Sequence, residues 1–226
     1  MDTKSILDYL SALAAHNDRD WFHANRRQYD EARSEFEALV QELCSRIAAF
    51  DPSACLPPPK NLIFRINRDT RFSKDKSPYN PCFRAHISPG GRSPFPAGYY
   101  LSAGPGRVFL GGGVFASVFP EATALVRDRI AERCGEFTAI ITAKEFAEHF
   151  NVLGEKLKNV PRGYEKENPC AEYLKHKAWD IEYDIPAEVF CDAGRFVNEA
   201  AHIFRLMKPF NDFLNEALKG FRMPER

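Results

Sequence analysis

Two apolar stripes of helical period, one near each end of the chain, bracket a centre whose apolar residues alternate with period two. Near the N-terminus Ile6, Tyr9, Leu10 and Leu13 recur at helical spacing, which predicts a first amphipathic helix stopping near Asn17. Asn17, with Asp20 three residues on, is the expected cap of a second helix. That helix carries Phe22, Tyr29, Ala32, Phe36, Leu39, Leu43, Ile47 and Phe50 on one stripe, and Asp51-Pro52 ends it. Near the other end Phe196, Ala200, Ile203, Met207, Phe210, Leu214 and Leu218 predict a long helix, bent at Pro209 and ended around Gly220.

Between them Leu62, Phe64 and Ile66 alternate with Ile63, Arg65 and Asn67, and Phe83, Ala85 and Ile87 alternate with Arg84 and His86, each reading as a strand. Gly98–Ala103 and Arg107–Leu110 flank Gly104-Pro105-Gly106, a hairpin signal, and a further short strand is expected at Trp179–Tyr183. Helices are expected over about 120–134 and 143–151. Strands grouped between helices, rather than alternating with them, predict an α+β fold: an antiparallel sheet packed against long N- and C-terminal helices. One domain is expected over 1–226, with residues 1–56 helical, residues 60–118 a basic β core and residues 119–226 mostly helical. Pro57-Pro58-Pro59 is the one stiff joint.

Charge follows the same partition. Residues 1–59 are net −4, residues 60–120 net +7 and residues 121–226 net −3, so the chain is neutral overall. Neutrality disfavours a general electrostatic binder of nucleic acid or membrane, and leaves a local basic patch open. No apolar run is long enough for a membrane span, and Met1-Asp2-Thr3-Lys4 lacks the start of a signal peptide. Cysteines 44, 55, 82, 134, 170 and 191 form no CxxC pair. All six are therefore expected as free thiols in a cytoplasmic protein.

The densest chemistry runs from Arg65 to Tyr79: Arg65, Arg68, Arg71, Lys74 and Lys76 with Ser73, Ser77, Asp69 and Asp75. Guanidinium forks suit bidentate capture of phosphate or carboxylate, and lysine adds point charge. Two readings stand. Either the segment holds a small anion, or Asp69 and Asp75 pair with these bases in a solvated, internally bridged loop. Two carboxylates cannot neutralise five bases, so at least three positive charges want another partner.

This segment, Arg68-Asp69-Thr70-Arg71-Phe72-Ser73-Lys74-Asp75-Lys76-Ser77-Pro78-Tyr79-Asn80, resembles the hallmark of the domain-of-unknown-function 2461 family. Trp21-Phe22 with Asn25 and Tyr29 is similar to that family's WF-x-x-N…Y motif. Gly98-Tyr99-Tyr100-Leu101 with Gly111-Gly112-Gly113 resembles its GYY…GGG hairpin. Gly154 to Lys158, Pro161-Arg162-Gly163-Tyr164 and Lys175-His176-Lys177 resemble its later blocks. The blocks run from about residue 6 to 218. The resemblance implies an α+β protein and no particular activity. Here the triple glycine is followed by Val114–Pro120, where the family places an aromatic-Pro pair sooner.

Other chemistries are less supported. Gly104-Pro105-Gly106 lacks the third glycine and the following helix of a dinucleotide fingerprint, and no P-loop or GxSxG elbow occurs. The triple glycine is either a close packing contact or a ligand-facing floor. The six histidines show no metal-ligand spacing, so neither metal nor cofactor is expected. Cys82, in a basic neighbourhood, is a candidate for a lowered pKa or a core residue. Asp69, Asp75 and Glu155 are plain acid–base candidates. Trp21, Tyr29, Tyr79, Tyr99, Tyr100, Tyr164 and Trp179 read as walls of a pocket, with core packing as the alternative.

The expectation is recognition of a small anionic, phosphate-bearing ligand, with or without turnover, in a pocket formed by the basic segment and the GYY…GGG hairpin. Arg65, Arg68, Arg71, Lys74 and Lys76 hold it, helped by Lys158, Arg162 and Lys177. Asp69 orients two arginines, and Tyr79 and Tyr100 line the wall. Alternatives are a nucleic-acid module on the basic strand face, less favoured by neutral charge, and an interaction module docking an acidic partner.

Overall fold

The computed structural model describes residues 1–114 and 119–223. Of the stretch where the chain departs from the family pattern, residues 115–118 lie outside the described ones. The fold is α+β. Four strands, β1 (Phe83–Ile87), β2 (Tyr99–Gly104), β3 (Arg107–Val114) and β4 (Trp179–Ile185), form one antiparallel sheet in the order β1-β2-β3-β4. Only β2 and β3 are joined by a tight turn, at Pro105-Gly106, whereas the chain between β3 and β4 carries helices between Pro120 and Leu174. The chain clusters into two compact units.

The first unit comprises Met1–Arg92, Tyr100–Leu110 and Asp184–Arg205. It holds α1 (Thr3–Ala15), α2 (Arg19–Ala24), α3 (Arg26–Ile47), a 3-10 turn (Pro52–Cys55), α4 (Pro59–Leu62) and β1. In α3, Phe36, Leu39, Leu43 and Ile47 are fully buried, and Ile6, Leu10 and Leu13 of α1 are buried with them. Phe36 meets Phe83 of β1 at a 5.3 Å ring separation, and Tyr9 stacks on the same ring at 6.5 Å. The apolar stripe of the N-terminal helices therefore has its partner in β1, as a stripe of this size requires.

Three expectations change in this unit. The cap of α2 is Asp18, whose carboxylate accepts from Trp21 N–H at 2.8 Å, and Asn17 is released for another task. The stripe from Phe22 to Phe50 is broken at Asn25, whose side chain turns back to donate to Trp21 O at 2.9 Å. The strand expected at 62–67 is reduced to the bridges Ile63–Ala85 and Asn67–Tyr79, because Pro59 starts a helical turn that takes Leu62.

The second unit comprises Ser93–Tyr99, Gly111–Tyr183 and Leu206–Arg226. It contains α5 (Pro120–Glu132), α6 (Cys134–Ile141), α7 (Lys144–His149) and α8 (Ala171–Leu174). Its core includes Val126, Ile130, Phe137, Phe146, Trp179, Met207 and Phe210. Helix α6 was not expected: it follows α5 after Arg133 alone, and Phe137 and Ile141 mark its buried side. Past α9 (Ala187–Phe190), the last helix, α10 (Ala193–Ala217), runs with Pro209 inside it.

The cysteines need a correction. Cys134, first residue of α6, and Cys170, just before α8, lie 5.8 Å apart at Cα and form a disulfide. Spacing along the chain gave no hint of this, because helix packing within the unit brings the two positions together. Cys44, Cys55, Cys82 and Cys191 are free. The pairing removes the support that six free thiols lent to a reducing compartment. Among the described residues no helix is long and apolar enough to cross a membrane.

The disulfide spans 36 residues, and closing a ring of that size stabilises by about 4 kcal/mol in the chain-entropy account. Non-reducing peptide mapping is expected to join the Cys134 and Cys170 peptides. Replacing both by Ser is expected to lower stability by about that amount in urea unfolding. A map with both cysteines alkylated would remove this crosslink from the account.

Candidate functional site

The basic segment is the loop of an irregular hairpin. Its stem is the Asn67–Tyr79 bridge, with Arg68 N–H donating to Pro78 O at 2.9 Å and Asn80 N–H to Ile66 O at 2.7 Å. The stem is anchored twice. Tyr79 is buried and its ring stacks on Phe22 at 4.3 Å. The Asn17 amide pairs with the Tyr79 backbone in both directions, donating to its carbonyl at 2.9 Å and accepting from its N–H at 3.1 Å. An amide used this way imitates a neighbouring strand, which explains why Asn17 leaves the cap to Asp18.

Within the loop most charges are paired. Arg68 donates to Asp75 and to the Ser73 hydroxyl at 3.4 Å. Arg71 closes its fork on Asp69 through Nε at 3.0 Å and a terminal nitrogen at 2.6 Å. Asp69 thus orients one arginine, not two. Lys76 donates to Thr70 O at 2.9 Å. The Ser77 hydroxyl and amide, then Arg68, hold the Asp75 carboxyl well below the usual range, and Arg71 lowers that of Asp69. Arg65 and Lys74 are exposed and make no ion pair among the described residues.

Arg68, Thr70, Lys76, Ser77 and Tyr79 line an open cleft of about 740 Å³. Asn17, Asp18, Arg19 and Asp20 line the same cleft. It therefore gathers three cations, Arg68, Lys76 and Arg19, and the carboxylates of Asp18 and Asp20 around one space. Of the five bases expected to act together, two line the cleft. Arg65, Arg71 and Lys74 do not.

The remaining candidates lie elsewhere. Tyr100, on β2, sits against Phe64 at 6.3 Å and Phe109 at 5.8 Å. Lys158, Arg162 and Lys177 belong to the second unit. There Lys177 pairs with Glu155 at 2.5 Å, while Lys158 and Arg162 are exposed. Of the seven aromatics read as walls, Tyr79, Tyr99 and Trp179 are buried, and half-buried Tyr29 contacts Tyr9, Phe22 and Phe83. Tyr164 is half-buried, donates to Asp128 at 2.7 Å, and is pushed up to about 12 chiefly by burial. Burial likewise raises the Cys82 thiol, so of its two readings the lowered pKa does not hold.

The triple glycine is a packing device. A side chain at Gly112 would meet Asn211 Oδ1 at 3.0 Å and Met207 Sδ at 3.2 Å. Gly113, at φ +91°, lies so close to Trp179 that a Cβ would stand 2.1 Å from its carbonyl oxygen. Buried Asn211 accepts from Gly113 N–H at 2.7 Å and donates to Gly98 O at 2.9 Å, tying together the two ends of the GYY…GGG motif.

Two buried polar groups escaped the sequence reading. His176, beside Lys177, is fully buried, with Nδ1 against Leu153 O at 3.0 Å and Ala178 O at 3.2 Å. Burial lowers its pKa, and Nε2 has no partner among the described residues. Arg127 caps the same backbone, donating to Leu174 O at 2.9 Å and His176 O at 2.8 Å. Asp180 on β4 is the other. Its only sequence signal is an acid inside a strand that also carries Trp179 and Ile181. Among the described residues no group of three or more His, Cys, Asp or Glu is placed to hold a metal ion.

A family model described as conserved hypothetical protein, DUF2461, matches residues 5–213. Comparison with curated proteins and with solved structures yields no match.

Burial, with Glu182 adding to it, pushes the Asp180 carboxyl from 3.8 up to about 6. A raised pKa means that the folded state favours the protonated acid. The stability this contributes is complete below pH 3.8 and is lost as pH rises through about 6. The loss amounts to about 3 kcal/mol. Asp180→Asn is therefore expected to gain stability relative to the parent between pH 4 and pH 7, read as the difference in urea midpoints. A pH-independent difference would contradict the burial of this charge.

Proposed function

The chain belongs to the DUF2461 family of conserved hypothetical proteins, and from that premise we propose that it binds a small, phosphate-bearing anion in the cleft between the basic hairpin loop and the start of α2. The observation that carries this reading is the convergence of Arg68, Lys76 and Arg19 on one space of about 740 Å³. Arg68 is pre-positioned by Asp75 and Ser73, so little side-chain entropy is lost when an anion takes its remaining donors. Ser77 and Thr70 add hydroxyls at the same wall. The carboxylates of Asp18 and Asp20 repel a bare polyanion, so the fitting ligand is one whose phosphate meets the cations while hydroxyl or amino groups meet the carboxylates. Self-pairing in the loop does not oppose this, because exposed ion pairs stabilise little and exchange partners readily.

One observation favours a second reading. Phe72, at the loop tip beside Arg71, is 96% exposed. A bare ring among cations suits docking onto an acidic partner. Phe72 is not among the residues that line the cleft, so the two readings separate experimentally.

Ligand binding raises the melting temperature by mass action: at a hundred times Kd the gain is about 2.7 kcal/mol, or about 5–10 °C for a chain of this size. Inorganic phosphate, pyrophosphate and a nucleoside monophosphate are the probes. The parent is expected to respond to at least one of them, and Arg68→Met/Lys76→Met to lose the response. An unresponsive parent, or an equal rise in the double variant, would make the loop structural.

A further inference from the structure

The geometry points to a second redox site in the first unit: we propose that Cys44 and Cys55 are a dithiol that a hydroperoxide converts reversibly to a disulfide. Cys44 stands in the last turn of α3. Asp51-Pro52 ends the helical run, and the 3-10 turn Pro52–Cys55 folds back, so that residue 55 returns against residue 44. The Cys55 thiol donates to Cys44 O at 3.1 Å. That carbonyl also accepts Ala48 N–H at 2.9 Å, so the sulfur is docked on a fixed part of the helix end.

The two cysteines differ in access and in acidity, and the differences assign them roles. Cys44 is 5% exposed, whereas Cys55 is half-buried and open to a small oxidant. The neighbouring Cys44 side chain lowers the Cys55 pKa despite opposition from burial and from Asp51, while Cys55 and burial raise that of Cys44. Cys55, the more accessible of the two and the more acidic, is therefore the sulfur that attacks as its thiolate, and Cys44 the thiol that resolves.

The chemistry balances with the hydroperoxide as oxidant. The Cys55 thiolate attacks the terminal peroxide oxygen, the O–O bond breaks, and with one proton the products are a Cys55 sulfenic acid and an alcohol or water. The Cys44 sulfur then attacks the Cys55 sulfur. The S–O bond breaks, the S–S bond forms, and hydroxide leaves with the Cys44 proton as water. Two electrons pass from the two sulfurs to the peroxide, and an external thiol reverses the step. The other free cysteines lack this arrangement. Cys82 is raised by burial, and Cys191 is exposed but makes no contact with another cysteine among the described residues.

The test treats the native full chain with a small excess of hydrogen peroxide, blocks remaining thiols with iodoacetamide, and maps peptides without reduction. Trypsin cleavage after Arg46 puts the two cysteines on different peptides, so the bond registers as a joined pair. The expected result is a Cys44–Cys55 crosslink, two thiols lost per chain, and full recovery with dithiothreitol. Cys44→Ser is expected to leave a Cys55 sulfenic acid that dimedone traps, and Cys55→Ser to give no crosslink and an intact Cys44. Oxidation confined to Cys191, or a parent in which Cys55 is alkylated or over-oxidised while Cys44 stays a thiol, would overturn the proposal. The parent map decides it even if a variant fails to fold.

Discussion

Burial of the α3 stripe against β1 is the constraint on which the first unit depends. Phe36 has no place to go except onto Phe83, and once that contact is made Tyr9 and Tyr29 close around the same ring. This aromatic cluster continues through Phe22 to Tyr79, the residue that ends the basic loop. The Asn17 amide then locks the Tyr79 backbone from the other side. A loop rich in like charges, which would otherwise disperse in solvent, is thereby held at the Tyr79 side of its stem by aromatic packing and the Asn17 amide rather than by its own ion pairs.

The charge arrangement follows from that anchoring. With the stem fixed, Asp75 and Asp69 each reach one arginine, and two carboxylates satisfy two of five bases. Lys76 bonds a carbonyl, which leaves its charge uncompensated. What remains positive is divided between the cleft and the loop tip, and the two faces suit different partners: a small anion with donor groups in the first case, an acidic surface around Phe72 in the second.

Much of this architecture can be read from residue order. The period-two run at 83–87, the hairpin signal at 98–110 and the 4-3 spacing of both helical stripes lead directly to the α+β sheet with its long helices, because burial and turn chemistry set those patterns. The readings that changed depend on contacts between distant positions. Whether Asn17 or Asp18 caps α2 is decided by Tyr79, sixty-two positions away. Whether the strand at 62–67 completes its ladder is decided by Pro59 and by the competing stem of the loop. The Cys134–Cys170 pair is visible only after α6 and α8 have packed. Among site residues, Arg68 and Lys76 line a cleft with the start of α2 and not with the GYY…GGG hairpin, whereas Lys177 has a local carboxylate and Tyr100 a packing role among aromatics. Residue type shows what a side chain is able to bind; the partner it meets depends on the fold.

The central claim is that the hairpin loop and the start of α2 form a ligand site. Its most direct measurement is a nitrogen-15 correlation spectrum of the full chain titrated with a nucleoside monophosphate. Saturable shifts are expected, concentrated on the amides of residues 17–20 and 67–79, with the amides of 153–178 unmoved. Shifts centred on 153–178, or a spectrum unchanged at a saturating concentration of the nucleotide, would contradict it.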